Sequence, residues 1–101
     1  MAKIVWTIPA LLDVEEIAEY IAIENQDAAA ELVARLFTRS EQLVKHPESG
    51  AFPMELMGGN IRQLVVSPCR IFYTYDGESV FIMHVLRFER IVRMSRFEKE
   101  K

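Results

Sequence analysis

The chain has 101 residues, half of them hydrophobic and 27% charged, with a formal net charge of −3. That length predicts one domain, 1–101, which buries roughly 60–70% of its unfolded surface and needs no staples. The single Cys69 excludes an internal disulfide and suits a reducing compartment, no run approaches the roughly 20 apolar residues of a membrane span, and the acidic balance argues against a dedicated nucleic-acid binder, whose affinity rests on neutralising phosphates. Ile4–Leu12 does not read as a secretory leader, because it is short, contains Pro9 and runs into Asp13, Glu15 and Glu16. The expected location is the cytoplasm.

Lys3–Ile8 (KIVWTI) alternates loosely and predicts a first strand ended by Pro9. Val14, Ile17, Ala18 and Ile21 recur at i, i+3, i+4 and i+7, which predicts an amphipathic helix over Ala10–Glu24. Its early acids suit a helix N-terminus. Asn25 is expected to stop that helix and Asp27 to cap a second one. The second runs to about His46 on a stripe of Ala29, Leu32, Val33, Leu36, Phe37, Leu43 and Val44, and Pro47, Ser49 and Gly50 close it. So short a connection means an antiparallel helical hairpin. Glu48–Pro53 reads as loop and Met54–Met57 as irregular or a strand entry.

Three strands are expected next, over Ile61–Ser67, Cys69–Tyr75 and Val80–Leu86. Pro68 separates the first two and Asp76-Gly77 is a hairpin signal between the others. With an even-length loop there, Ile71, Tyr73, Ile82, His84 and Leu86 share one face, while Arg70, Phe72, Phe81, Met83, Val85 and Arg87 share the other. The order β-α-α-β-β-β predicts a two-layer α+β domain, a helical hairpin packed on a mainly antiparallel sheet, with the far sheet face partly open. Residues 91–101 read as a charged tail. No His/Cys/Asp/Glu spacing suggests a metal site, no glycine loop suggests a phosphate site, and no cofactor is expected.

Several pieces, taken in order, resemble one family. They are Trp6 on the opening strand, Glu16-Ile17-Ala18-Glu19-Tyr20-Ile21-Ala22, Ala28-Ala29, Leu43 with Pro47-Glu48-Ser49-Gly50, Ile61-Arg62-Gln63-Leu64, Pro68-Cys69-Arg70-Ile71-Phe72-Tyr73, and Ile82-Met83-His84-Val85 followed by Arg87 and Arg90. On this set the chain resembles the RelE/ParE superfamily of toxins from type II toxin–antitoxin systems, in its ParE-like, plasmid-stabilisation branch. The resemblance implies a cognate antitoxin that folds on the toxin as a hetero-oligomer. It implies either of two targets: DNA gyrase, poisoned without hydrolysis, or messenger RNA cut on the ribosome.

The nuclease alternative needs groups that activate a 2′-hydroxyl, stabilise the phosphate and protonate the leaving oxygen. The matching positions are Arg62, Arg70, His84 and Arg87. The late tyrosine typical of the ribonucleases is replaced by Phe97 in the tail. The gyrase reading asks for basic contacts at Arg87, Arg90 and Arg93, although the basic and imidazole positions of the last strand look exchanged. Phe72, Met83 and Arg70 are the expected antitoxin contacts. Bland roles compete at each position: a salt bridge from Arg70 to Asp13, Glu55 or Glu89, a hydrogen-bonded core role for His84, packing for Tyr73 and Tyr75, and an inert buried thiol at Cys69.

Overall fold

The computed structural model describes residues 1–56 and 58–89. Strand β1 (Lys3–Trp6) stops two residues earlier than the alternation suggests, because Pro9 sits in the first turn of helix α1 (Ile8–Ala22). A proline there loses no helical hydrogen bond. Thr7 caps α1: its hydroxyl accepts from the Ala10 amide at 3.4 Å and donates to the Ile82 carbonyl at 2.6 Å. The helix start is therefore stitched to the sheet. Helix α2 (Gln26–Ser40) is capped by Asn25, whose side chain accepts from the Ala28 amide at 3.0 Å. This corrects the expected cap at Asp27, which lies in the first turn instead. The long second helix is also broken at Glu41, and Gln42–Lys45 continues as the short α3.

The sheet has the order β1-β4-β3-β2, with β2 at Arg62–Val66, β3 at Cys69–Tyr75 and β4 at Ser79–Arg87. β1 runs parallel to β4, and the other two pairings are antiparallel. The Asp76-Gly77 turn forms as its residues demand. Gly77 takes φ +94°, and the Asp76 carboxylate accepts from the Glu78 and Ser79 amides, which hold its pKa below the ordinary value.

The helical hairpin covers one sheet face. Ala10, Val14, Ile17, Leu32, Leu36 and Leu43 close over Leu64, Val66, Ile71, Tyr73, Ile82 and Val85 in the main core. Trp6 joins it from β1, its ring 4.5 Å from that of Phe37. On the opposite face a second cluster joins Leu56, Ile61, Phe72 and Leu86, with Met83 packed against it. The far face is thus not open at Phe72: the 3-10 turn Met54–Leu56 and the entry to β2 cover it.

The side-chain parity along β4 also differs from the expected one. Tyr73 faces Ile82 but Phe72 faces His84, so Met83 is an extra residue in β4. Such a bulge reverses the alternation beyond it. Val85 therefore joins Ile71 on the helix side, and Leu86 joins Phe72 on the other.

Candidate functional site

β1 pairs with β4 only as far as Trp6↔Ile82, which leaves the rest of the β4 edge to be satisfied by α1. Asp13 does this. Its Oδ2 lies 2.7 Å from His84 Nδ1 and accepts the Val85 amide at 3.0 Å. The two side chains are only 18% and 5% exposed, so His84 is a buried group bonded to a carboxylate. Above the pair runs a groove of ≈ 300 Å³ between α1 and the end of β4, lined by Asp13, Glu16, Ile17, Tyr20 and Arg87. The Arg87 guanidinium stacks 4.2 Å from the Tyr20 ring centroid, and its Nε is 3.1 Å from Glu89.

Arg70 projects from the other face. Its Nη1 is 2.9 Å from Glu55 and 3.2 Å from the Gln63 side chain, its guanidinium lies over Phe72, and its buried Nε has no hydrogen-bond partner among the described residues. A backbone hydrogen bond at Glu55, and then the one from Arg70, hold the Glu55 carboxyl below its ordinary pKa. Of the three acids open to Arg70, Glu55 takes it, while Asp13 serves His84 and Glu89 serves Arg87. Arg62 is a loop staple. Its Nη1 donates to the carbonyls of Glu48 at 3.0 Å and Gly50 at 2.9 Å, and its guanidinium covers the Phe52 ring at 4.2 Å.

The four residues named for phosphate chemistry therefore do not converge. Arg62 pairs across from Tyr73 and Arg87 across from Cys69, which sets them on the helix side but four rises of β3 apart, about 13 Å. Arg70 pairs with Leu86 on the opposite face. His84 is turned into the contact with α1. Among the described residues no group of three or more His, Cys, Asp or Glu side chains is placed to hold a metal ion, and no helix is long and apolar enough to cross a membrane.

A family model described as the ParE toxin of type II toxin–antitoxin systems, parDE, matches residues 4–92. The chain belongs to that toxin family. It is 33% identical over 96 residues to Toxin RelE2 of Caulobacter vibrioides, which covers 93% of this chain and all of the relative. It is 35% identical over 86 residues to Putative toxin Y4kP of Sinorhizobium fredii, covering 81% and 86%. Among solved structures it is similar to a chain of the chromosomal ParDE toxin–antitoxin system from P. aeruginosa, with a TM-score of 0.74 at 20% identity over 88% of this chain and 98% of that one. The RelBE2 toxin–antitoxin complex from Mycobacterium tuberculosis gives 0.58 at 17% identity over 85% and 96%. Those two likenesses bear on the fold, and it is the expected α+β arrangement.

In this ParE-family chain, Arg90 and Arg93 lie outside the described residues. Phe72 is fully buried, so it drops out of the expected antitoxin contacts, whereas Met83 and Arg70 keep part of their surface. Sequence reasoning missed the role of Tyr73. Its buried hydroxyl accepts the Gly50 amide at 2.8 Å and donates to the Pro47 carbonyl at 2.9 Å, and burial pushes its pKa up. The Pro47-Glu48-Ser49-Gly50 run is thereby clamped to β3. A lone glycine two residues after an acid gave no signal of this in the sequence.

Proposed function

We propose that this toxin arrests growth by binding DNA gyrase, without hydrolytic chemistry, and that an antitoxin neutralises it. The observation that carries the reading is the dispersal of Arg62, Arg70, His84 and Arg87. Each is engaged by its own partner, on different faces or distant ends of the sheet. In-line phosphoryl chemistry needs such groups around one atom, within hydrogen-bond reach of it. Binding a protein asks only for a shaped, charged surface. Arg87, placed over the Tyr20 ring beside the α1 groove, is the described member of the contact set Arg87, Arg90 and Arg93. The antitoxin reading is supported by the family itself and by structural neighbours that are toxin–antitoxin assemblies. Both targets place the toxin in the cytoplasm.

The test uses toxin freed of antitoxin in two parallel reactions, gyrase with supercoiled plasmid and programmed ribosomes with labelled message. Linear plasmid accumulating with gyrase, beside intact message, is the expected result. Message cut only on ribosomes reverses the reading in favour of a RelE-like endoribonuclease.

A further inference from the structure

Strand β1 is one edge of the sheet, and part of its backbone faces away from β4. The amides of Lys3 and Thr7 donate to the Glu78 and Ile82 carbonyls at 3.1 and 3.2 Å, and Val5 follows the same alternation. Ile4 and Trp6 therefore turn their N–H and C=O groups outward, where no backbone bond from the described residues takes them. Just before them the edge is closed, because the Ala2 amide donates to the Val44 carbonyl at 2.9 Å. The opposite edge, β2, is also partly closed: Ala51 and Gln63 exchange bonds of 3.1 and 2.7 Å. β1 carries no proline and no bulge, and Lys3 is its only charge, so little blunts the open stretch. On the face away from the helices, Val5 is 38% exposed and lies beside the half-buried Phe81 of β4.

We propose that β1 docks antiparallel on β1 of a second copy of this chain, about a two-fold axis at Val5, joining two 4-stranded sheets into one. The open groups set the register. With Val5 opposite Val5, Ile4 of each copy meets Trp6 of the other, and each such pair exchanges both of its N–H···O bonds. A shift by one pairing step in either direction turns open groups toward Ala2, already bonded to Val44, or toward the start of α1. The same register sets Val5 on Val5 and carries the apolar row from Phe81 across the seam to Phe81 of the second copy. A second copy supplies all of these matches by symmetry, which a strand of unrelated sequence does not. Because the pairing occupies the open edge of both copies, assembly stops at the dimer. The inference is independent of the gyrase reading.

So small an interface belongs to the weak, transient class, so sedimentation of the full-length toxin should show a monomer–dimer equilibrium between about 1 and about 300 µM. Val5→Lys sets like charges opposite each other at the axis and should weaken the dimer at least about fivefold, with an unchanged circular dichroism spectrum. Cysteine crosslinking reads the register directly. Residues opposed without hydrogen bonds have Cα atoms about 4.5 Å apart, inside the roughly 4.4–6.8 Å that a disulfide spans. Val5→Cys should therefore give a disulfide-linked dimer under oxidised glutathione. Lys3→Cys, equally exposed, should not, because its two copies stand about 13 Å apart along the seam. The parent, whose Cys69 is buried, sets the background. A monomer at every concentration overturns the proposal, as does a dimer that Val5→Lys leaves intact. Equal crosslinking of the two cysteine variants, or none at Val5, also overturns it.

Discussion

Replacing Gly50 by alanine tests how the turn after α3 is locked to the sheet. A β-carbon at Gly50 meets the Tyr73 hydroxyl at 2.5 Å, and both the Gln63 carbonyl oxygen and Tyr73 Cε1 at 2.7 Å. None of these is the loose end of a flexible side chain. Gln63 O accepts the Ala51 amide in the bridge beside β2, and Tyr73 is fully buried in the main core. Relief must come from lifting the turn, which breaks the bonds of the Tyr73 hydroxyl to Gly50 and Pro47. Overpacking a tight site costs about 1–3 kcal/mol, and each buried polar group left unpaired costs a similar amount. Because opening the turn relieves the first by incurring the second, the expected loss is about 3–4 kcal/mol rather than the full sum. A domain of this size is stable by roughly 5–15 kcal/mol, so its melting midpoint should fall by roughly 12–30 °C. Urea unfolding followed by Trp6 fluorescence and far-ultraviolet circular dichroism measures this. Tyr73→Phe, which orphans the same backbone groups without a clash, should lose about 1–3 kcal/mol. In Gly50→Ala/Tyr73→Phe the hydroxyl contact is gone, so the double variant should lose at least about 1 kcal/mol less than the two single losses added. A Gly50→Ala loss under about 1 kcal/mol, or strict additivity, refutes the clamp.

Three further outcomes follow from the same geometry. Burial lifts the Cys69 thiol from 9.0 to about 11, so the folded state holds that proton more tightly than the unfolded one. The resulting stability, on the order of 2–3 kcal/mol, is full below the unfolded value and drains away as pH climbs through the folded one. Stability measured between pH 9 and 11 should then fall less steeply in Cys69→Ala than in the parent, with parallel slopes as the refuting result. Asp13→Ala removes the acceptor shared by His84 and Val85 and should cost about 2–3 kcal/mol, with faster hydrogen exchange at the Val85 amide; an unchanged exchange rate there discounts the link between α1 and β4. Under the gyrase reading, growth arrest survives Arg70→Ala and His84→Ala at equal folded protein but is lost in Arg87→Ala. The opposite pattern points to catalysis.

Much of the fold could be read from residue order. Hydrophobic spacing set two helices, and β-branched, aromatic and apolar runs separated by Pro68 and Asp76-Gly77 set three strands, because those signals are local and each element must hide one face. The near misses were also local contests. Asn25 won the cap from Asp27 because the side chain that reaches forward to accept from the Ala28 amide belongs to the residue with extended backbone just outside the helix.

The site was less legible. A sequence lists charges but not their partners, and Arg70 faced three acids of equal chemical merit until the 3-10 turn brought Glu55 to 2.9 Å. Phe72 read as an exposed partner contact because nothing in its own strand says that Leu56 and Ile61 fold over it. The sequence by itself determined the family, the layer order and the strand set, since periodicity and turn chemistry act over a few residues. Only the tertiary structure decided which face His84, Val85 and Leu86 occupy. One extra residue at Met83 resets the two-residue period of β4, and it forms where Thr7 and Asp13 of a distant segment bind that strand's open edge.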